Sequence, residues 1–178
     1  MKISFMTFST KDLDLDANLT LAARLGYDGI EPRLDAGHAH GVEVAADADA
    51  RKAAAGAFAA SGIECACLAI GHKLAWPEDR ETVLAEVRER VDLAADVGCS
   101  RVRIFGGQLP EGVEREPAIE SLAGNLRALA DHAAGRSVVL CLETHDAWCD
   151  PAHVAEVLRR VDHPAVGVNW DIMHPVRN

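Results

Sequence analysis

A chain of 178 residues, about half of them apolar, can bury one substantial core, and its 28 acidic against 18 basic side chains give a formal charge of -10. That balance repels phosphate backbones and anionic lipid, which argues against nucleic acid and membrane surfaces as partners. Five cysteines, an odd number, suggest no disulfide framework, and the opening MKISFMTFST has neither a basic leader nor a long apolar run, so a reduced, cytoplasmic chain without membrane spans is expected.

KISFMTF reads as a first strand and GYDGIE as a second, followed by the irregular, histidine-containing stretch RLDAGHAHGVEVAADADA. Asp47 then suits an N-cap, and the helix after it closes at Gly62 before strand three, IECACLAI. The next helix, EDRETVLAEVRERVDLAADVG, sets Val83, Leu84, Val87, Val91 and Ala94 on one face with charge opposite. Strand four is RVRIF, strand five SVVLCLE, and strand six AVGVNW; Asp150 and Pro151 suit the cap and first turn of the helix between the last two.

Gly26, Gly62, Gly98 and Gly135 recur at spacings of 36, 36 and 37 residues, each where an amphipathic stretch gives way to an apolar one. A glycine just past a helix can close it in the left-handed conformation, so each marks a helix end before a strand. About six strands and five helices alternate, and the strands are apolar on both faces, as in a parallel sheet covered by helices. The expected fold is α/β of the (β/α) TIM-barrel type, incomplete, over residues 1–178 as one partial domain.

In such folds ligands bind beyond the carboxyl ends of the strands. Those ends are polar here: Glu31 and Arg33, His72 and Lys73, Arg103 and Gln108, Glu143 and His145, Asp171 and His174. Alternation places Val139, Cys141 and Glu143 on one face, with Gly167, Asn169 and Asp171 on one face of the next strand, so two carboxylates can meet. Carboxylate oxygens beside imidazoles suit Mn²⁺, Mg²⁺ or Co²⁺ better than a thiolate zinc site.

LGYDGIE at strand two, CLETH at strand five and WDIMHP at strand six together resemble the xylose isomerase-like TIM-barrel superfamily of sugar isomerases and epimerases, which includes an endonuclease IV branch. The resemblance implies Glu143 and Asp171 as ligands of a divalent metal and Glu143 as a catalytic carboxylate. It further implies His174, His72 and Glu31 as substrate contacts, while Arg103 reads either as an anion contact or as a core-edge ion pair. The implied reaction moves a proton next to a sugar carbonyl through a cis-enediolate. A small sugar or polyol is the implied partner.

The superfamily draws two further ligands, a His or Gln and a Glu, from strands seven and eight, which this sequence does not contain. The chain is accordingly expected to be a piece of a longer product, or to be completed by a second copy in a homo-oligomer. Three other readings stand beside the isomerase: a keto-inositol dehydratase sharing the metal site, an endonuclease IV-like phosphodiesterase, and a truncated non-catalytic fragment. Trp76, Trp148 and Trp170 are expected to pack, Cys141 to be core, and His38 and His40 to lie in a solvated loop.

Overall fold

The computed structural model describes residues 1–177. Its elements are β1 (Ser4–Met6), α1 (Leu15–Leu25), β2 (Gly29–Glu31), α2 (Ala48–Ser61), β3 (Glu64–Cys65), β4 (Leu68–Lys73), α3 (Arg80–Asp96), β5 (Arg101–Phe105), α4 (Arg115–Gly135), β6 (Val139–Glu143), α5 (Pro151–Val161), β7 (Val166–Asn169) and α6 (His174–Arg177). Every strand pair is parallel, in the order β1-β2-β3 and β4-β5-β6-β7. Chain order and spatial order therefore coincide, as repeated βα units require.

The third strand departs from the sequence expectation, because it breaks at Ala66 and Cys67 into β3 and β4. Its first half keeps register with β2, Ile30 opposite Cys65, and its second with β5, Leu68 opposite Val102. Pairing is carried across the break by Ala66 N–H donating to Ile30 C=O at 2.9 Å and by a parallel bridge between Arg33 and Ala69. The six expected strands thus form one arc, with β1 and β7 as its edges.

Helix ends follow local chemistry. Asp47 and Asp150 cap α2 and α5, each accepting a backbone N–H at 2.8 Å. Gly26 and Gly62 close α1 and α2 at φ of 76° and 72°. The fourth periodic glycine behaves differently: Gly135 stays helical, and Ser137 takes the left-handed conformation at φ 58°.

The core lies between the arc and its helices. Leu68, Ile70, Val102, Ile104, Leu140 and Leu142 from the strands meet Leu84, Val87, Val91, Leu122, Leu126 and Val157 from the helices, all essentially inaccessible. Each such side chain stabilises the fold by about 1.5–3 kcal/mol relative to exposure. Trp148 joins this core at 0% exposure, whereas Trp76 and Trp170 are 47% and 55% exposed, contrary to the expectation that all three pack. Trp148 fits because position 106 is glycine: a Cβ there would lie 2.2 Å from its ring. Among the described residues no helix is long and apolar enough to cross a membrane.

Candidate active site

The site grows from the tips of β5, β6 and β7. Arg103 and Cys141 are register partners, as are Cys141 and Gly167, and Glu143 and Asn169. Side chains of these rows point the same way, so Arg103 and Glu143 face each other from adjacent strands. The Arg103 Nε lies 2.9 Å from Glu143 Oε2. Its Nη1 donates to Ile70 C=O at 2.8 Å, and its guanidinium sits 4.1 Å from the Phe105 ring centroid. Burial lowers the Arg103 pKa and the Glu143 charge opposes that shift, with Arg33 and Glu31 close enough to add smaller effects of opposite sign.

Asp171 follows β7 and is fixed by its neighbours. Thr144 Oγ1 accepts from Asp171 N–H at 2.9 Å and donates back to Asp171 C=O at 3.2 Å. The Asp171 carboxylate in turn accepts from the backbone N–H groups of His174 and Met173 at 2.9 and 2.6 Å, which hold its pKa below the usual carboxylate value. The His174 ring stacks edge-on against His145 at 3.9 Å, and His145 leans on Phe105 at 4.7 Å. Imidazoles, an aromatic wall and two carboxylates are thereby gathered on three adjacent tips.

The other expected contacts divide between settings. Glu31 Oε1 accepts from Ser4 Oγ at 2.7 Å and lies within electrostatic reach of Arg103. His72 turns instead to α3, with Nε2 3.0 Å from Glu86 Oε2, and lines a separate cavity of about 350 Å³ with Arg33, Asp35 and Arg90. Arg103 resolves toward the ion-pair alternative, being 5% exposed and engaged with Glu143. Cys141 is half-buried, and burial raises its pKa, so it is no activated nucleophile.

The histidine loop corrects the sequence expectation. His40 is 4% exposed: its Nδ1 accepts from Val42 N–H at 3.0 Å, and its Nε2 meets Arg33 C=O at 3.1 Å. The ring satisfies loop backbone that would otherwise be buried unpaired, a structural role. His38 is half-buried, with Nδ1 3.0 Å from Thr7 Oγ1. Sequence reasoning also passed over Thr144 and Phe105, whose only signal was their place at or just beyond a strand tip.

Glu143 and Asp171 are hard oxygen donors of the kind a divalent cation takes, so the donor chemistry fits. They supply part of a coordination shell. Among the described residues no three His, Cys, Asp or Glu side chains converge on one ion position.

Comparison with known proteins bears on the fold and the family. The putative hydroxypyruvate isomerase of Xenopus laevis is 29% identical over 100 residues, covering 49% of this chain and 36% of its own length. The probable 3-DHS dehydratase AsbF of Bacillus anthracis superposes with a TM-score of 0.81 at 21% identity, over 98% of this chain and 64% of that one. The IOLI protein, solved with a zinc atom, gives 0.81 at 19% identity over 98% and 64%. The chain therefore spans little more than a third of the frog relative and under two thirds of these folds, which are TIM barrels of which it forms an arc. The family profile described as xylose isomerase-like TIM barrel matches residues 19–178, and the chain belongs to that family, whose members include sugar isomerases and epimerases.

Proposed function

We propose that this chain carries part of the active site of a divalent-metal-dependent sugar isomerase or epimerase, working in the cytoplasm on a small α-hydroxy carbonyl substrate through a cis-enediolate. The observation that carries the reading is Glu143, buried at a strand tip, oriented by Arg103 and one strand from Asp171. The name of the frog relative, a putative hydroxypyruvate isomerase, supports a short substrate of this class.

Glu143 and Asp171 would hold Mn²⁺, Mg²⁺ or Co²⁺, which when bound stabilises negative charge developing on the substrate's oxygens. Arg103 fixes Glu143 Oε2, leaving Oε1 to take a proton from the carbon beside the carbonyl. His145 and His174 supply ring nitrogens for substrate hydroxyls, and Phe105 keeps water from one side. A single carboxylate can return the proton to the neighbouring carbon on the same face, interconverting ketose and aldose. Epimerisation needs a second group on the opposite face, so isomerisation is the simpler use of these residues.

Mn²⁺ titration of the protein, followed by electron paramagnetic resonance and by calorimetry, tests the metal. The expected result is one site lost in Glu143→Ala; no Mn²⁺ binding, or binding that this substitution leaves unchanged, would sink the reading. Deuterium uptake from solvent into hydroxypyruvate at the carbon bearing its hydroxyl tests the proton transfer.

A further inference from the structure

Arg33 takes no part in the chemistry drawn from Glu143 and Asp171, yet it stands on the face of the arc that carries Glu143. A parallel bridge pairs it with Ala69, Ala69 is the register partner of Arg103, and Arg103 is that of Cys141. Positions in one such row point their side chains the same way. Arg33 and Arg103 therefore reach into the same mouth from either side of β4, where they bind consecutive carbonyls, Ala69 at 3.0 Å and Ile70 at 2.8 Å. By the usual strand spacing, Arg33 and Cys141 are three steps, roughly 14 Å, apart along this row. Two long side chains and a short substrate can close that span.

The position of Arg33 is fixed before any ligand arrives. Its backbone N–H donates to the buried Thr7 Oγ1 at 2.9 Å, and its Nη1 is held by Ala69 C=O. Its Nη2 lies over Gly71, where a Cβ would stand only 2.8 Å from it. Phe8, 60% exposed just beyond β1, has its ring centre 5.9 Å from the guanidinium carbon. The acids whose charges reach Arg33 are engaged elsewhere. Asp35 gives both oxygens to Arg90, at 2.7 and 3.1 Å, and Glu43 accepts from Asp35 N–H at 3.1 Å. Among the described residues Arg33, unlike Arg103, has no carboxylate partner, and its half-buried guanidinium borders a cavity of about 350 Å³.

We propose that Arg33 receives the carboxylate of the substrate, so that the active site takes short α-keto acids in preference to neutral sugars. This rests on the reading of Glu143 as the proton-transfer group and names the substrate class of that same site. A planar guanidinium matches the two oxygens of a carboxylate, and one already immobilised loses little freedom on binding it. The charges of Asp35 and Glu43 tell against a doubly charged phosphate in the same place. With its carboxylate on Arg33, a three-carbon acid turns its carbonyl and hydroxyl carbons toward Glu143.

The test is calorimetric titration of the full chain with three ligands. They are hydroxypyruvate, dihydroxyacetone, which has a hydroxymethyl group in place of the carboxylate, and dihydroxyacetone phosphate. Hydroxypyruvate should bind about tenfold or more tightly than either of the others, the usual worth of a charged hydrogen bond. Arg33→Met should remove that advantage and leave dihydroxyacetone unchanged, with the folded state followed by circular dichroism. Gly71→Ala, which presses on Nη2 without removing it, should reduce the same advantage and decides the matter if Arg33→Met fails to fold. Equal binding of hydroxypyruvate and dihydroxyacetone, a preference for the phosphate, or a preference that survives these substitutions overturns the proposal. Mn²⁺ binding is read separately. Its absence beside an Arg33-dependent preference counts against the isomerase reading alone, and its presence without that preference counts against the Arg33 contact alone.

Discussion

Arg103 on β5 and Glu143 on β6 form an ion pair of 2.9 Å with side chains only 6% and 11% exposed. Neither charge has bulk water to fall back on, so each is the other's main compensation. The pair makes one contact serve both the fold and the proposed chemistry, because whatever holds the guanidinium also aims the carboxylate.

Arg103→Met should therefore destabilise the protein by about 3–5 kcal/mol, the usual cost of stranding one partner of a buried pair. Urea unfolding measures it. The double variant Arg103→Met, Glu143→Leu should recover much of that loss, since it removes both charges; a double variant no more stable than the single one would show that the pair is not the source.

Asp171 has two roles that one substitution separates. Asp171→Asn retains an oxygen to accept from Met173 and His174 N–H, so stability should change by about 0.5 kcal/mol or less, as for a position outside the core. The proposed ligand charge disappears. Mn²⁺ affinity should fall about tenfold or more, and unchanged affinity would remove Asp171 from the metal site.

His40 gives the fold a dependence on acid. Burial depresses its pKa below the ordinary 6.5, so the folded chain holds it neutral while the unfolded chain takes up a proton. Its contribution is complete above pH of about 6.5 and is lost as pH falls through that value toward the lower folded pKa. Urea midpoints measured from about pH 7.5 to 5.5 should drop in the wild type, and the drop should shrink in His40→Gln, which does not titrate.

Gly106→Ala tests the slot that admits Trp148. The new Cβ would stand 2.2 Å from the indole, far inside contact distance, so the ring must move. A loss of about 1–3 kcal/mol is expected, the usual range for overpacking. The emission of Trp148 should shift, and since Trp76 and Trp170 also emit, the comparison is made in a Trp76→Phe, Trp170→Phe background.

Much of this protein is written locally. The spacing of Gly26, Gly62 and Gly98, the caps at Asp47 and Asp150, and the apolar runs of β5 and β6 announce parallel βα units, because periodicity, capping and turn chemistry each act within a few residues. The strand-tip positions of Glu143 and Asp171 follow from the same alternation. Ser137 in place of Gly135 as the left-handed residue, and the break between β3 and β4, were not legible, because each depends on how a strand must seat against neighbours distant in sequence.

The sequence by itself determined the α/β class, the order of the elements and which residues reach the strand tips, since these follow from short-range patterns of polarity and backbone preference. Only the tertiary structure decided what those residues do to one another. It turned Arg103 onto Glu143, clamped Asp171 with Thr144, drew His72 away to Glu86 and buried His40 beneath its own loop. The partners stand from 7 positions apart, for His40 and Arg33, to 40, for Arg103 and Glu143, and the longer-range contacts exist only once the strands have taken their register.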